Sequence, residues 1–201
     1  MSPLHRDSSP LLSACVLSGG LSRRMGRDKA LLPHHSHPTW LEHISALLLQ
    51  LHLPVQVLTR HREHLQLQQR LPTVKVQLEP PPWLGPLQGM ARVLPRDGNF
   101  ALFTAPVDMP RLQCSDLQEI LWAWQDNTDE AVIASDGNRL QPLLGIYPGG
   151  PGQHSSMLEV LNCANGCWMD WLEQIPYRSV RLRADRLLNC NRPADLKAVL
   201  P

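Results

Sequence analysis

The segment LLSACVLSGGLSRRMGRDK, Leu11 to Lys29, joins a short apolar run to a loop dense in glycine and cationic side chains. Leu11 to Ser18 is mostly apolar and is closed by Gly19-Gly20, the pattern of a strand covered on both faces in a parallel sheet. Runs of the same kind recur at Val55 to Thr59, Val74 to Leu78, Phe100 to Thr104 and Ala131 to Ala134. Between them lie segments with helical periodicity, such as Trp40 to Leu51. Strand alternating with helix predicts an α/β chain, a Rossmann-like three-layer sandwich around a mostly parallel sheet. The last third reads less regularly, with turn signals from Pro148 to Gly152, helices expected near Ser155 to Asn162 and Trp168 to Gln174, and a closing segment Leu187 to Leu200. Residues 1–10 are polar and aperiodic and are expected to form a flexible leader to one domain over 11–201.

Composition narrows the function classes. The chain has 201 residues, 43% hydrophobic and 18% charged, enough for one sizeable core. Its 19 basic and 18 acidic residues nearly cancel, so nothing advertises a nucleic-acid or anionic-membrane surface. No apolar run approaches the roughly 20 residues that span a bilayer. Leu12-Ser13-Ala14-Cys15 has the look of a lipoprotein cleavage box, but His5 to Pro10 contains no apolar export core. Five scattered cysteines suit reduced thiols and a cytoplasmic protein better than a disulfide framework. Cys163 and Cys167 are four apart, a helical spacing, and are expected to pack rather than to bind zinc.

In a parallel sheet, ligands collect beyond the carboxyl ends of the strands. Three loops there stand out: Gly19 to Lys29, Glu79 to Gly89, and Ala105 to Pro110. Gly19, Gly20 and Gly26 let backbone amides approach a ligand, and Arg23, Arg24, Arg27 and Lys29 surround them with positive charge, which suits a polyphosphate. The loop is not a Walker A sequence and does not spell G-x-G-x-x-G. Only three lysines occur in the chain, so Lys29 is conspicuous. Asp108 lies between Pro106 and Pro110, where restricted backbone would aim a carboxylate at a metal or place it at a helix N-terminus. Glu79 is either a ligand-facing carboxylate or a solvated turn residue. His34, His35 and His37, flanked by Pro33 and Pro38, read as a solvated turn. Trp122 and Trp124 cannot share one helix face.

The pattern L-x-G-G-x-S-x-R-M-G-x-D-K at Leu17 to Lys29 resembles the signature loop of the nucleotidyltransferases, and most closely that of the molybdenum cofactor guanylyltransferases. Four further stretches resemble that family: Pro38 to His43 (PTWLEH), Gly85 to Met90 (GPLQGM), Ala105 to Pro110 (APVDMP) and Leu188 to Leu196 (LNCNRPADL). The resemblance implies transfer of GMP from GTP to the terminal phosphate of molybdopterin, with pyrophosphate released. It implies Mg²⁺ on Asp108, catalytic roles for Lys29, Asp108 and Arg24, nucleotide contacts from Leu17, Ser18, Gly19, Gly20, Lys29, Glu79 and Asp108, and a molybdopterin side at Asn189 and Asn191. Other cofactor-assembly proteins and acceptor molybdoenzymes would be its protein partners.

Some residues depart from the family pattern. The family usually places an aspartate in the loop that carries Glu79, slightly differently spaced from the G-P-L segment; Ser18 stands where alanine is common, and Gly166-Cys167-Trp168 lacks the basic residue that tends to follow the glycine. Asn191 has a second reading as a cap on a final helix begun by Pro193. The competing functions are cytidylyl or other nucleotidyl transfer to molybdopterin or to a sugar or polyol phosphate, and a non-catalytic nucleotide-binding homologue.

Overall fold

A computed structural model describes residues 10–163 and 166–198, so the expected leader falls, apart from Pro10, outside the described residues. Its strands are β1 (Leu11–Leu17), β2 (Val55–Thr59), β3 (Lys75–Leu78), β4 (Phe100–Pro106), β5 (Ala131–Ser135), β6 (Leu140–Pro148) and β7 (Tyr177–Arg181). They form one sheet in the order β3-β2-β1-β4-β6-β5-β7. Strands β1 to β4 are mutually parallel, β5 pairs parallel with β7, and β6 runs antiparallel to both its neighbours. The expected mostly parallel sheet is therefore observed, with one reversed strand inside it.

The helices are α1 (Trp40–Gln50), α2 (Leu67–Arg70), α3 (Pro86–Val93), α4 (Cys114–Asp126), α5 (Pro151–Asn162) and α6 (Trp168–Leu172). Alternate residues of the central strands feed two separate cores. Ala14 and Val16 of β1 and Phe103 of β4 pack with Ile44 and Leu48 of α1 and Leu117 and Ile120 of α4. Cys15 and Leu102 face the other way, toward Met90 of α3, Met157 of α5 and Trp171 of α6. Both faces of these strands are thus covered, which is why their sequences read as continuous apolar runs rather than alternating ones. Within α4, Trp124 is 3% exposed and Trp122 60%, as their separation on the helix demands.

Two strands were not legible in the sequence. Strand β6 contains Pro142 and Gly145, both poor strand formers. Gly145 is required: a Cβ there would lie 2.4 Å from the Val132 carbonyl oxygen, close to the irregularity in β5 between Ile133 and Ala134. Strand β7 carries Arg178 and Arg181 at the sheet edge, where alternate residues meet solvent.

The cysteine expectation needs correction. Cys163 ends α5 and Cys167 precedes α6, so the two do not share a helix, and both are exposed rather than packed. The Gly166-Cys167-Trp168 segment leads into the core, with Trp168 edge-on to Tyr147 and Trp171. No helix among the described residues is long and apolar enough to cross a membrane.

In the native protein a thiol reagent should label Cys163 and Cys167 quickly. Cys15, fully buried with its thiol pushed up to about 12 by desolvation, should react only on unfolding. Mass mapping of labelled peptides checks this, and native labelling of Cys15 would contradict the packing.

Candidate active site

Strands β1 and β4 are adjacent, parallel and paired to their last residues, Leu17 opposite Pro106. Their following loops therefore leave the sheet side by side. Between them lies a cleft with a cavity volume of about 370 Å³. Its walls come from Leu17 to Ser22 after β1, Arg60 after β2, Glu79 and Trp83 after β3, the first turn of α3, and Pro106 to Asp108 after β4.

The loop after β1 is set by its own turns. Gly26 has φ of +73°, a left-handed conformation that glycine adopts without a Cβ clash, and the Met25 and Gly26 amides close the turn onto the Ser22 carbonyl. Asp28 then caps the short turn Lys29–Leu31, its Oδ1 accepting from the Ala30 amide at 3.0 Å. The amides of Gly19, Gly20 and Leu21 find no acceptor among the described residues. All three residues line the cleft.

Lys29 and Asp108 meet across the cleft. The Nζ of Lys29 donates to Asp108 Oδ2 at 2.7 Å and to Asn191 Oδ1 at 3.0 Å. Both charged side chains are largely buried, 16% and 13% exposed. The other carboxylate oxygen, Asp108 Oδ1, is buried with no hydrogen-bond partner. A desolvated carboxylate oxygen left bare is unfavourable unless something cationic or hydrogen-donating completes it.

Further out, Glu79 is held by Arg92, whose Nη1 donates to Oε1 at 2.9 Å. The same guanidinium donates to the Pro80 and Pro82 carbonyls and so fixes the proline-rich loop. The Glu79 side chain is only 9% exposed, which replaces the solvated-turn reading. Burial pushes its carboxyl above the ordinary range against the pull of Arg92 and Arg60. Its Oε2 approaches Gly19, where a Cβ would lie 3.1 Å away.

Of the residues singled out from sequence, Leu17, Ser18, Gly19, Gly20, Lys29, Glu79 and Asp108 all line the cleft. Asn191 reaches it through Lys29 rather than capping the last turn; Asp195 Oδ2 instead accepts from the Asn191 and Arg192 amides, each at 2.8 Å. Asn189 turns away from Lys29 and donates to Gln141 Oε1 at 3.1 Å. Arg24 is exposed, does not line the cleft, and acts electrostatically on Asp195. Arg60 and Trp83 were missed. The Arg60 guanidinium lies 5.4 Å from the Trp83 ring centre, and its Nε is buried without a partner. Arg60 directly follows β2, so the rule that directed attention to the other strand ends points to it as well.

Behind the first loop runs a polar chain. His64 Nε2 meets Asp28 Oδ2 at 2.9 Å, His64 Nδ1 meets Thr59 Oγ1 at 2.7 Å, and Thr59 donates to the Ser18 carbonyl at 3.0 Å. Burial opposes ionisation of Asp28, yet His64, the Ala30 amide and His61 together hold its carboxyl below the usual range. The expected solvated histidine turn is corrected as well: His35 is exposed, but His34 and His37 gather with His43 from α1.

Residues 14–174 match the model of the MobA-like NTP transferase domain. The chain belongs to this family. It is 36% identical over 199 residues to a probable molybdenum cofactor guanylyltransferase of Rhodopirellula baltica, covering 96% of this chain and 92% of the relative. A protein of the same name from Synechococcus elongatus is 31% identical over 197 residues, with 93% and 97% covered. Among solved structures, molybdopterin-guanine dinucleotide biosynthesis protein A of Archaeoglobus fulgidus superposes with a TM-score of 0.70 at 16% identity, over 93% of this chain and 96% of that one. A 4-diphosphocytidyl-2C-methyl-D-erythritol synthase shares the fold at 15% identity with a TM-score of 0.68, over 94% and 96% of the two chains. The family makes this chain a nucleotidyltransferase.

Replacing Asp28 by Ala leaves buried His64 without its acceptor and should cost about 1–3 kcal/mol. A folded-state pKa lowered from 3.8 stabilises the protein above that value, and the contribution is lost as pH falls through the lowered pKa. Denaturation midpoints of wild type and Asp28→Ala should therefore differ most near neutrality and converge in acid.

Proposed function

We propose that this nucleotidyltransferase transfers GMP from GTP to the terminal phosphate of molybdopterin, releasing pyrophosphate. The observation that carries this reading is Asp108 in the cleft wall, its Oδ2 paired with Lys29 and its buried Oδ1 without a partner, across from the glycine loop after β1. The names of the relatives, matched over nearly the whole chain, favour guanylyl transfer to molybdopterin among the reactions such a cleft could run.

The acceptor needs little activation. A phosphate monoester with a second pKa of about 6 is already largely ionised near neutrality, so no strong general base is required. The difficulty is that two anions must meet and the departing pyrophosphate gathers charge. The amides of Gly19, Gly20 and Leu21 supply fixed donors for phosphate oxygens at no reorganisation cost. Lys29 spends two of its three ammonium protons on Asp108 and Asn191, which leaves one donor for a phosphate. The first turn of α3, entered through Gly85 with φ of +108°, adds the positive end of a helix to the same wall. Arg60 is a further cation facing the cleft.

The residues fit Mg²⁺, since an orphaned buried carboxylate oxygen is the hard donor that this ion takes, alone or with one other carboxylate. Asp108 would hold it, and the ion would neutralise developing charge on the phosphate oxygens. Glu79 and Asn191 are proposed as nucleotide and molybdopterin contacts respectively. Asn191 acts from the same hydrogen-bond network as Lys29, whereas Asn189 would have to release Gln141 to reach a ligand.

Asp108→Asn and Lys29→Ala should each lower turnover by about 10²–10³-fold with the fold retained, measured as pyrophosphate release from GTP in the presence of molybdopterin. Retained rates in both would remove the assignment. GTP with magnesium should raise the melting temperature more than CTP or ATP at equal concentration, since only bound nucleotide stabilises. A larger shift with CTP would redirect the reading to cytidylyl transfer.

A further inference from the structure

His34, His37 and His43, packed against the segment that follows Asp108, bring three imidazoles together. His34 sits in the loop before α1, His37 three residues on, and His43 in the first turns of the helix. One potential ligand nitrogen from each lies within 4.8 Å of the other two, with His43 buried and the other two partly exposed.

Their hydrogen bonds fix which nitrogens of His34 and His43 keep a lone pair. His34 Nε2 lies 2.9 Å from the Pro110 carbonyl and His43 Nε2 lies 3.1 Å from the Leu112 carbonyl. A carbonyl can only accept, so both Nε2 atoms carry hydrogen and each neutral ring keeps its lone pair on Nδ1. An imidazole anchored through one nitrogen to a carbonyl, with the other left as a base, is the state that metal-ligating histidines adopt. His43 Nδ1 is 3.3 Å from His37 Nδ1. A tetrahedral ion with metal–nitrogen bonds of about 2.0–2.1 Å separates its ligand nitrogens by roughly 3.3–3.4 Å. The pair already has that spacing. The His34 ring stacks on His43 with centroids 3.7 Å apart, and its Nδ1 accepts from the exposed Ser36 amide at 3.2 Å. To bind a metal His34 would give up that loop hydrogen bond and turn its ring out of the stack, because the in-plane lone pairs of parallel imidazoles do not converge on one ion.

We propose that His34, His37 and His43 form a three-imidazole site for a divalent cation of the Zn²⁺ class, with water in the fourth position. Imidazole nitrogens select such borderline ions, whereas Mg²⁺ requires oxygen donors, so this site is chemically distinct from the one at Asp108. Through the Pro110 and Leu112 carbonyls, a bound ion would brace the segment immediately after Asp108. The inference stands independently of which nucleotide the cleft takes.

The test uses the full chain, stripped with a chelator and kept in excess Mg²⁺. Titration with Co²⁺ should give visible d–d bands saturating at one ion per chain and displaced by Zn²⁺, and Zn²⁺ should raise the melting temperature. His37→Ala and His34→Ala, both at partly exposed positions, should fold and weaken Co²⁺ binding by more than the roughly 10–100-fold that loss of an outer partner costs. A Cys163→Ser, Cys167→Ser double variant should bind as wild type does. Equal Co²⁺ affinity in the wild type and both histidine variants, loss of binding in the cysteine variant, or no stoichiometric binding by the wild type would overturn the proposal.

Discussion

The cleft depends on one backbone constraint, the parallel pairing of β1 with β4 through Leu17 and Pro106. Parallel neighbours release their loops at the same edge, so residues 79 positions apart in sequence, Lys29 and Asp108, come into a 2.7 Å contact. Antiparallel pairing would have sent the two loops to opposite edges. Both strands are covered on both faces, which makes a register slip costly, because it would turn residues packed in one core into the other. The precision of a polar contact is thus inherited from apolar packing.

The carboxyl-terminal segment completes the arrangement. Asn191 accepts from Lys29, and the Cys190 amide donates to the Asp108 carbonyl at 2.9 Å, so the segment after β7 touches both members of the ion pair. Leu187, Cys190 and Leu196 are buried in the core shared with α1 and α4, which anchors those polar contacts. The first loop has its own support in the sequence of contacts from Asp28 through His64 and Thr59 to the Ser18 carbonyl. Arg92 plays the corresponding part for Glu79 and its prolines. Asp28, Lys29, Glu79 and Asp108 are therefore each held by a partner on another element, whereas Arg60 Nε, Asp108 Oδ1 and one Lys29 proton have no partner among the described residues.

Two kinds of cationic chemistry lie close in space. The cleft offers a carboxylate oxygen and amides, suited to a hard ion and phosphates. The histidine group offers nitrogens anchored on the carbonyls of Pro110 and Leu112, in the same segment that carries Asp108. Burial and the neighbouring imidazoles push His43 down to about 4, so near neutrality it is an uncharged base rather than another cation.

By itself the sequence determined the layered α/β class, the first five strands within one or two residues, and the cleft residues Leu17 to Gly20, Lys29, Glu79 and Asp108. These were legible because strands covered on both faces leave apolar runs, and because glycines and cations mark the loops that follow them. Only the tertiary structure decided the position of β6, whose Gly145 records the close approach of β5 rather than any local preference. It alone also brought Arg60 over Trp83, set Asn191 on the Lys29 ammonium, left Arg24 outside the cleft, and gathered His43 with His34 and His37. Each of these is a contact between segments distant in the chain or lying on different elements, and its partner is set by strand order and packing, which local residue patterns do not encode.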